Sequence, residues 1–154
     1  MHKALVIFAS KTGETAEIGN VIAQGIRESG MQADTLPADT VTTDEQLSGY
    51  DAYALGSSVY NEQMLPELDE VLCRLSRLPV QGKIGAAFGS YEWNEEIPGQ
   101  IQTILERDCG LVMAGPPLAV KPPFLGHMQE QARELGRTMG KRSTRLQPGS
   151  GLIR

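Results

Sequence analysis

The sequence predicts an α/β fold, a five-stranded parallel sheet with helices on both faces. Three observations predict it. Short, nearly continuous apolar runs recur along the chain, as they do in strands buried on both faces. Segments with apolar residues at helical spacing separate these runs, so that β and α alternate about five times, and such a series builds a parallel sheet. The joins are rich in turn formers, with 17 glycines and 9 prolines in the chain.

The first strand is the run at 3–9, Lys-Ala-Leu-Val-Ile-Phe-Ala. After a polar stretch, Ile18, Val21, Ile22, Gly25 and Ile26 share one helical face. Gly30 is placed to stop that helix. Residues 32–37 form a weaker second strand, and a single helical turn is expected after Thr43. The third strand is expected at 51–56, with a loop at 57–64. Pro66 suits the first turn of a helix, whose inner face is Leu65, Leu68, Val71, Leu72 and Leu75. The fourth strand runs from Gly82 to Phe88 and ends at Gly89. Pro98 again suits a helix start, with Ile97, Ile101, Ile104 and Leu105 inward. A fifth strand lies within 111–120, marked or broken by Pro116 and Pro117. The last helix is expected at 124–140, with Met128, Ala132, Leu135 and Met139 inward.

With 154 residues the chain is the size of one domain, long enough to bury a core. Residues 1–140 are read as that domain, and 141–154 as a basic, mobile C-terminal tail. The domain carries 10 Lys/Arg against 19 Asp/Glu, a balance of −9, while the tail carries four basic residues and no acid. An acidic body excludes nucleic acid as a partner, because phosphates need a basic face. It suits a basic protein partner, since complementary fields speed encounter. No apolar run approaches a membrane span, and no signal peptide is expected at the N-terminus. Cys73 and Cys109 form no metal-binding spacing and read as half-buried thiols of a reduced, cytoplasmic protein.

In a parallel α/β sheet, ligands sit beyond the carboxyl ends of the strands, where strand order reverses. The loops after strands 1, 3 and 4 are therefore the candidate site. The first, Ser10-Lys11-Thr12-Gly13-Glu14-Thr15, offers three hydroxyls and unpaired backbone N–H groups at a helix N-terminus. That is a phosphate cradle built of dipoles, and Gly13 lets the backbone come close. It is neither a P-loop nor a G-x-G-x-x-G turn. The second is Gly56-Ser57-Ser58-Val59-Tyr60-Asn61-Glu62-Gln63-Met64-Leu65-Pro66, and the third is Ala87-Phe88-Gly89-Ser90-Tyr91-Glu92-Trp93. They concentrate Tyr60, Tyr91 and Trp93 from a chain of only 8 aromatic residues.

Ser-x-Thr-Gly-x-Thr in the first loop matches the phosphate loop of flavodoxins. With the other two loops, residues 3–140 resemble the FMN module of flavodiiron proteins (A-type flavoproteins). There the corresponding stretches read approximately Gly-Ser-Pro-Thr-Tyr-Asn and Phe-Gly-Ser-Tyr-Gly-Trp. The resemblance implies a flavodoxin-like sheet of order 2-1-3-4-5 and FMN as the cofactor. It implies that Ser10, Thr12, Gly13, Glu14 and Thr15 hold the phosphate, with Lys11 in the same loop. Ser57, Ser58, Val59, Tyr60 and Asn61 would line one side of the flavin ring. Ser90, Tyr91, Glu92 and Trp93 would line the other, with Trp93 stacked on it. Three positions depart from the pattern. Ser58 stands for proline, which makes its loop less rigid; Val59 stands for threonine and removes a hydroxyl; Glu92 stands for glycine. The length leaves no room for a diiron domain, so the chain corresponds to the flavin half alone.

The implied function is electron transfer through FMN, between a reductase and a redox acceptor, with a separate diiron protein as one acceptor. Two other readings stay open: an NAD(P)H-dependent FMN quinone or flavin reductase, and a flavin-free interaction module. No catalytic residue is named, since His2 lies at the terminus and His127 reads as a surface helix residue. The sequence carries no signal of oligomeric state. Glu92, Glu95 and Glu96 cluster at the third loop, where carboxylates disfavour further negative charge.

Overall fold

The computed structural model describes residues 2–92 and 95–145. Strand β1 (Lys3–Ala9) leads into helix α1 (Glu14–Glu28), which returns to β2 (Gln32–Pro37). Two 3-10 turns follow, the second at Asp44–Leu47, where Thr43 and Gln46 cap each other as expected for a turn after Thr43. Then come β3 (Ala52–Tyr60), the two-residue β4 (Gln63–Met64), α2 (Pro66–Leu75), β5 (Ile84–Ser90) and α3 (Ile97–Arg107). The short strands β6 (Val112–Met113) and β7 (Leu118–Val120) precede α4 (His127–Arg145).

The sheet runs β2-β1-β3-β5-β6, all parallel. This is the expected 2-1-3-4-5 order, with the fifth strand in two pieces. β6 pairs with the start of β5, and β7 rejoins β5 at Phe88–Ser90. The break falls on Gly115-Pro116-Pro117, where prolines have no N–H to offer a ladder.

Period-two alternation divides the core. Leu5 and Ile7 of β1 join Leu68, Leu72, Leu75, Ile101 and Leu105 beneath α2 and α3. Ala4 and Val6 point the other way, to Ile18, Ile22, Ile26, Ala132 and Met139 beneath α1 and α4. At the α1–α4 crossing the two backbones touch. A Cβ on Gly136 would land on the Ile22 carbonyl, and one on Gly25 would land on the Arg133 carbonyl.

Two boundaries differ from expectation by four residues or more. β3 continues through Ser57–Tyr60, read from sequence as loop, because it folds back on itself: Val59 pairs with Met64 and Tyr60 with Gln63 across an Asn61-Glu62 turn. Residues 141–145, read as tail, complete α4. They are held where the helix passes the far end of the sheet: Arg142 Nη1 donates to the Met113 carbonyl (2.8 Å), and buried Ser143 Oγ donates to the Asp51 carbonyl (3.3 Å). The rest of that expected tail, 146–154, lies outside the described residues.

The two thiols also sort differently from the half-buried pair expected. Cys73 is exposed and Cys109 buried. Burial, with Asp108 nearby, pushes the Cys109 thiol up to about 11, so it stays protonated.

Candidate functional site

The carboxyl ends of β1, β3, β5 and β7 open on one cleft of about 330 Å³. Its wall comprises Lys11, Thr12 and Glu14 from the first loop, Ser58, Val59, Asn61 and Glu62 from the β3–β4 hairpin, Ser90, Tyr91 and Glu92 after β5, and Pro122 after β7. The three loops singled out in sequence thus meet. Glu62 lay in the second loop but was given no role there, and Pro122 was missed.

The first loop is folded by its own hydroxyls. Ser10 Oγ accepts from the N–H of Gly13 (3.0 Å) and of Ala16 (3.4 Å). Gly13 adopts φ +95°, which a side chain would resist. The Thr12 hydroxyl donates to Glu14 Oε1 (2.6 Å). Lys11 N–H donates to Ser58 Oγ (3.2 Å). The N–H groups of Thr12, Glu14 and Thr15 have no partner among the described residues. They stand at the N-terminus of a 15-residue helix, where the dipole favours an anion.

The hairpin is strained. Asn61 and Glu62 take φ +52° and +62°, the left-handed pair of a type I′ turn, for which Asn-Gly is preferred. Asparagine tolerates this; glutamate costs about 1–2 kcal/mol. Glu62→Gly should therefore stabilise the chain by about 0.5–1 kcal/mol, after the entropy cost of glycine. In thermal unfolding that is a rise of about 1–4 °C, and a fall would show the strain to be absent. Ser57 Oγ braces the hairpin by accepting from Leu65 N–H (2.9 Å) and donating to the Ser58 carbonyl (2.7 Å). Tyr60 is 49% exposed, and Lys11 Nζ lies 3.8 Å from the centre of its ring, a cation–π contact between the first loop and the hairpin.

Ser58 has a role that proline could not fill. Its Oγ lies 2.9 Å from Thr15 Oγ1, which lies 2.7 Å from Ser90 Oγ. Tyr91 N–H donates to the Val120 carbonyl (3.0 Å) and anchors the third loop to β7. Of the predicted residues, Ser10, Gly13, Thr15, Ser57 and Tyr60 support the cleft without lining it. Trp93 lies outside the described residues.

Among the described residues the lining carries one cation, Lys11, and three carboxylates, Glu14, Glu62 and Glu92. Among the described residues, no three His, Cys, Asp or Glu side chains gather as a metal would require. The free N–H groups suit an anion such as a phosphate, and a cleft of about 330 Å³ is of ligand-binding size.

A model of the flavodoxin domain matches residues 5–80. A type A flavoprotein of Rhodobacter capsulatus is 31% identical over 144 residues, covering 90% of this chain and 32% of that protein. A flavodoxin of Clostridium beijerinckii is 34% identical over 91 residues, 58% of this chain and 65% of that one. Among solved structures, a flavodoxin from the domain Archaea superposes with a TM-score of 0.86 at 28% identity, covering 92% of this chain and 99% of that chain. The flavodiiron protein of Giardia intestinalis has a TM-score of 0.86 at 23% identity, over 92% of this chain and 36% of that chain, a likeness of fold. The chain thus spans about a third of the type A flavoprotein's length and about two thirds of the bacterial flavodoxin's.

Proposed function

With the chain a flavodoxin-like domain, we propose that it binds FMN in the cleft and carries electrons between a reductase and a redox acceptor. The observation that carries this reading is the junction of a cation-poor, N–H-rich anion cradle with a cleft of ligand-binding size at the carboxyl ends of β1, β3 and β5. Bound FMN supplies one- and two-electron redox chemistry. The chain supplies the rest. The N–H groups of Thr12, Glu14 and Thr15 and the α1 dipole take the phosphate. Lys11 adds a positive charge. Ser58, Val59 and Tyr91 face the ring from two sides, with Trp93 assigned to stack on it.

The carboxylates set the electrostatics. Glu14, Glu62 and Glu92 surround the cleft and oppose any negative charge gained on reduction. Exposed Glu92 acts through water, where a nearby unit charge is worth about 0.5–1 kcal/mol. Glu92→Gln should therefore raise the potential of the final reduction step by about 20–40 mV, taking 59 mV per tenfold for one electron. A redox titration of the FMN-loaded chain checks this, and an unchanged or lower potential counts against it.

The balance of −9 over residues 1–140 suits a basic partner surface, and a separately encoded diiron protein is one acceptor of the right kind. Reduced cytoplasm is the proposed location. Among the described residues no helix is long and apolar enough to cross a membrane. The deciding experiment is an absorption spectrum of the purified chain, before and after adding FMN and removing the excess. Retained flavin with quenched fluorescence is the expected result; a colourless protein that ignores FMN would sink the proposal.

A further inference from the structure

The motif places the Thr15 hydroxyl at the phosphate, but the structure places it elsewhere. Thr15 is 0% exposed. Its Oγ1 sits between Ser58 Oγ of β3 (2.9 Å) and Ser90 Oγ of β5 (2.7 Å). Ser58 Oγ also accepts from Lys11 N–H (3.2 Å). One hydroxyl in the first turn of α1 therefore ties the first loop to both strands that flank the ring side of the cleft.

Counting hydrogens sharpens this. Three hydroxyls carry three hydrogens and share two mutual bonds. Thr15 is sealed, so its hydrogen goes to one of the two serines. If it goes to Ser58, Ser90 donates to Thr15 and the hydrogen of Ser58 is spare. If it goes to Ser90, Ser58 donates and the hydrogen of Ser90 is spare. Either way the spare hydrogen sits on a serine that lines the cleft.

We propose that the Thr15 side chain, whose backbone N–H stays in the anion cradle, positions the ring side of the cleft and is not itself a phosphate ligand: its hydroxyl holds Ser58 and Ser90 in place and leaves one of them free to donate to the bound ring. This rests on the FMN reading. It also accounts for serine at position 58, since proline has no hydroxyl to complete the trio.

Riboflavin, which has the ring but no phosphate, separates the two roles. The apoprotein is titrated with FMN and with riboflavin, following flavin fluorescence. Thr15→Val keeps the shape and the N–H and removes the hydroxyl. Both dissociation constants should rise by the same factor, about tenfold for a lost buried hydrogen-bond partner, and Thr15→Ser should restore both. A loss confined to FMN places the hydroxyl at the phosphate and overturns the proposal, as does no loss for either flavin. Should Thr15→Val fail to fold, Ser58→Ala removes one leg of the trio from the strand side. The same common loss is expected, and an FMN-only loss or none overturns the proposal. If the unaltered chain binds neither flavin, the FMN reading itself fails and takes this proposal with it.

Discussion

Gly136→Ala should lower the midpoint of thermal unfolding by about 6–12 °C. At this position α4 lies against α1 backbone to backbone. The added Cβ would meet the Ile22 carbonyl carbon and oxygen and the Ile26 nitrogen. Overpacking costs about 1–3 kcal/mol where side chains can shift, and more where they cannot. Here the obstacle is main chain held in helical hydrogen bonds, so the helices must part. The reciprocal contact of Gly25 with the Arg133 carbonyl then opens too. A loss of about 3 kcal/mol, at 2–4 °C per kcal/mol for a chain of this size, gives that range. Far-UV circular dichroism during heating measures it. A midpoint within about 2 °C of the unaltered chain would mean that the helices do not cross so closely. The effect reaches the cleft as well, because α1 carries the first loop of its lining at its N-terminus.

That crossing was not legible in the sequence. Glycine inside a helix reads as a cost of about 1 kcal/mol, and only the packed structure shows what it permits. The layering was legible, because buried parallel strands and amphipathic helices leave plain periods. Pro66 and Pro98 marked the starts of α2 and α3 as expected. The β3–β4 hairpin was hidden because its turn is Asn-Glu, not the Asn-Gly that signals a type I′ turn. The end of α4 was hidden by its Lys-Arg-Ser-Thr-Arg composition, which reads as solvated tail until Ser143 is seen against Asp51. Pro122 lies far in sequence from the other loops. A signal for it did exist: the loop after β7 leaves the same end of the sheet as the three loops already chosen.

Most residues that line the cleft were legible in the three loops, Glu62 and Pro122 being the ones given no role. Hydroxyls in a motif suggest ligands, yet buried hydroxyls must first satisfy one another. Thr15, Ser58 and Ser90 do so. Ser10 spends its oxygen on the loop's own N–H groups. Among the described residues, that leaves backbone N–H, the helix dipole and Lys11 for the proposed phosphate.

Lys11→Glu tests that remainder. The lining changes from one cation and three carboxylates to four carboxylates. A phosphate monoester carries about −1.5 to −2 charges at neutral pH. A change of two charges beside it, at the dielectric of water, costs about 2 kcal/mol, so FMN should bind about 30-fold more weakly at low salt. Riboflavin lacks the phosphate and loses only what the Lys11–Tyr60 contact contributes to the hairpin, about 0.5–1 kcal/mol for an exposed cation–π pair. The excess loss for FMN should shrink as salt rises, because the Debye length falls to about 3 Å at 1 M. Titration of both flavins at two salt concentrations reads all three effects. Equal, salt-independent losses for the two flavins would mean that Lys11 serves the hairpin through Tyr60 and not the phosphate. Lys11 and Thr15 are thus expected to fail in opposite ways, one by phosphate and one by ring, although four residues and one motif hold them together.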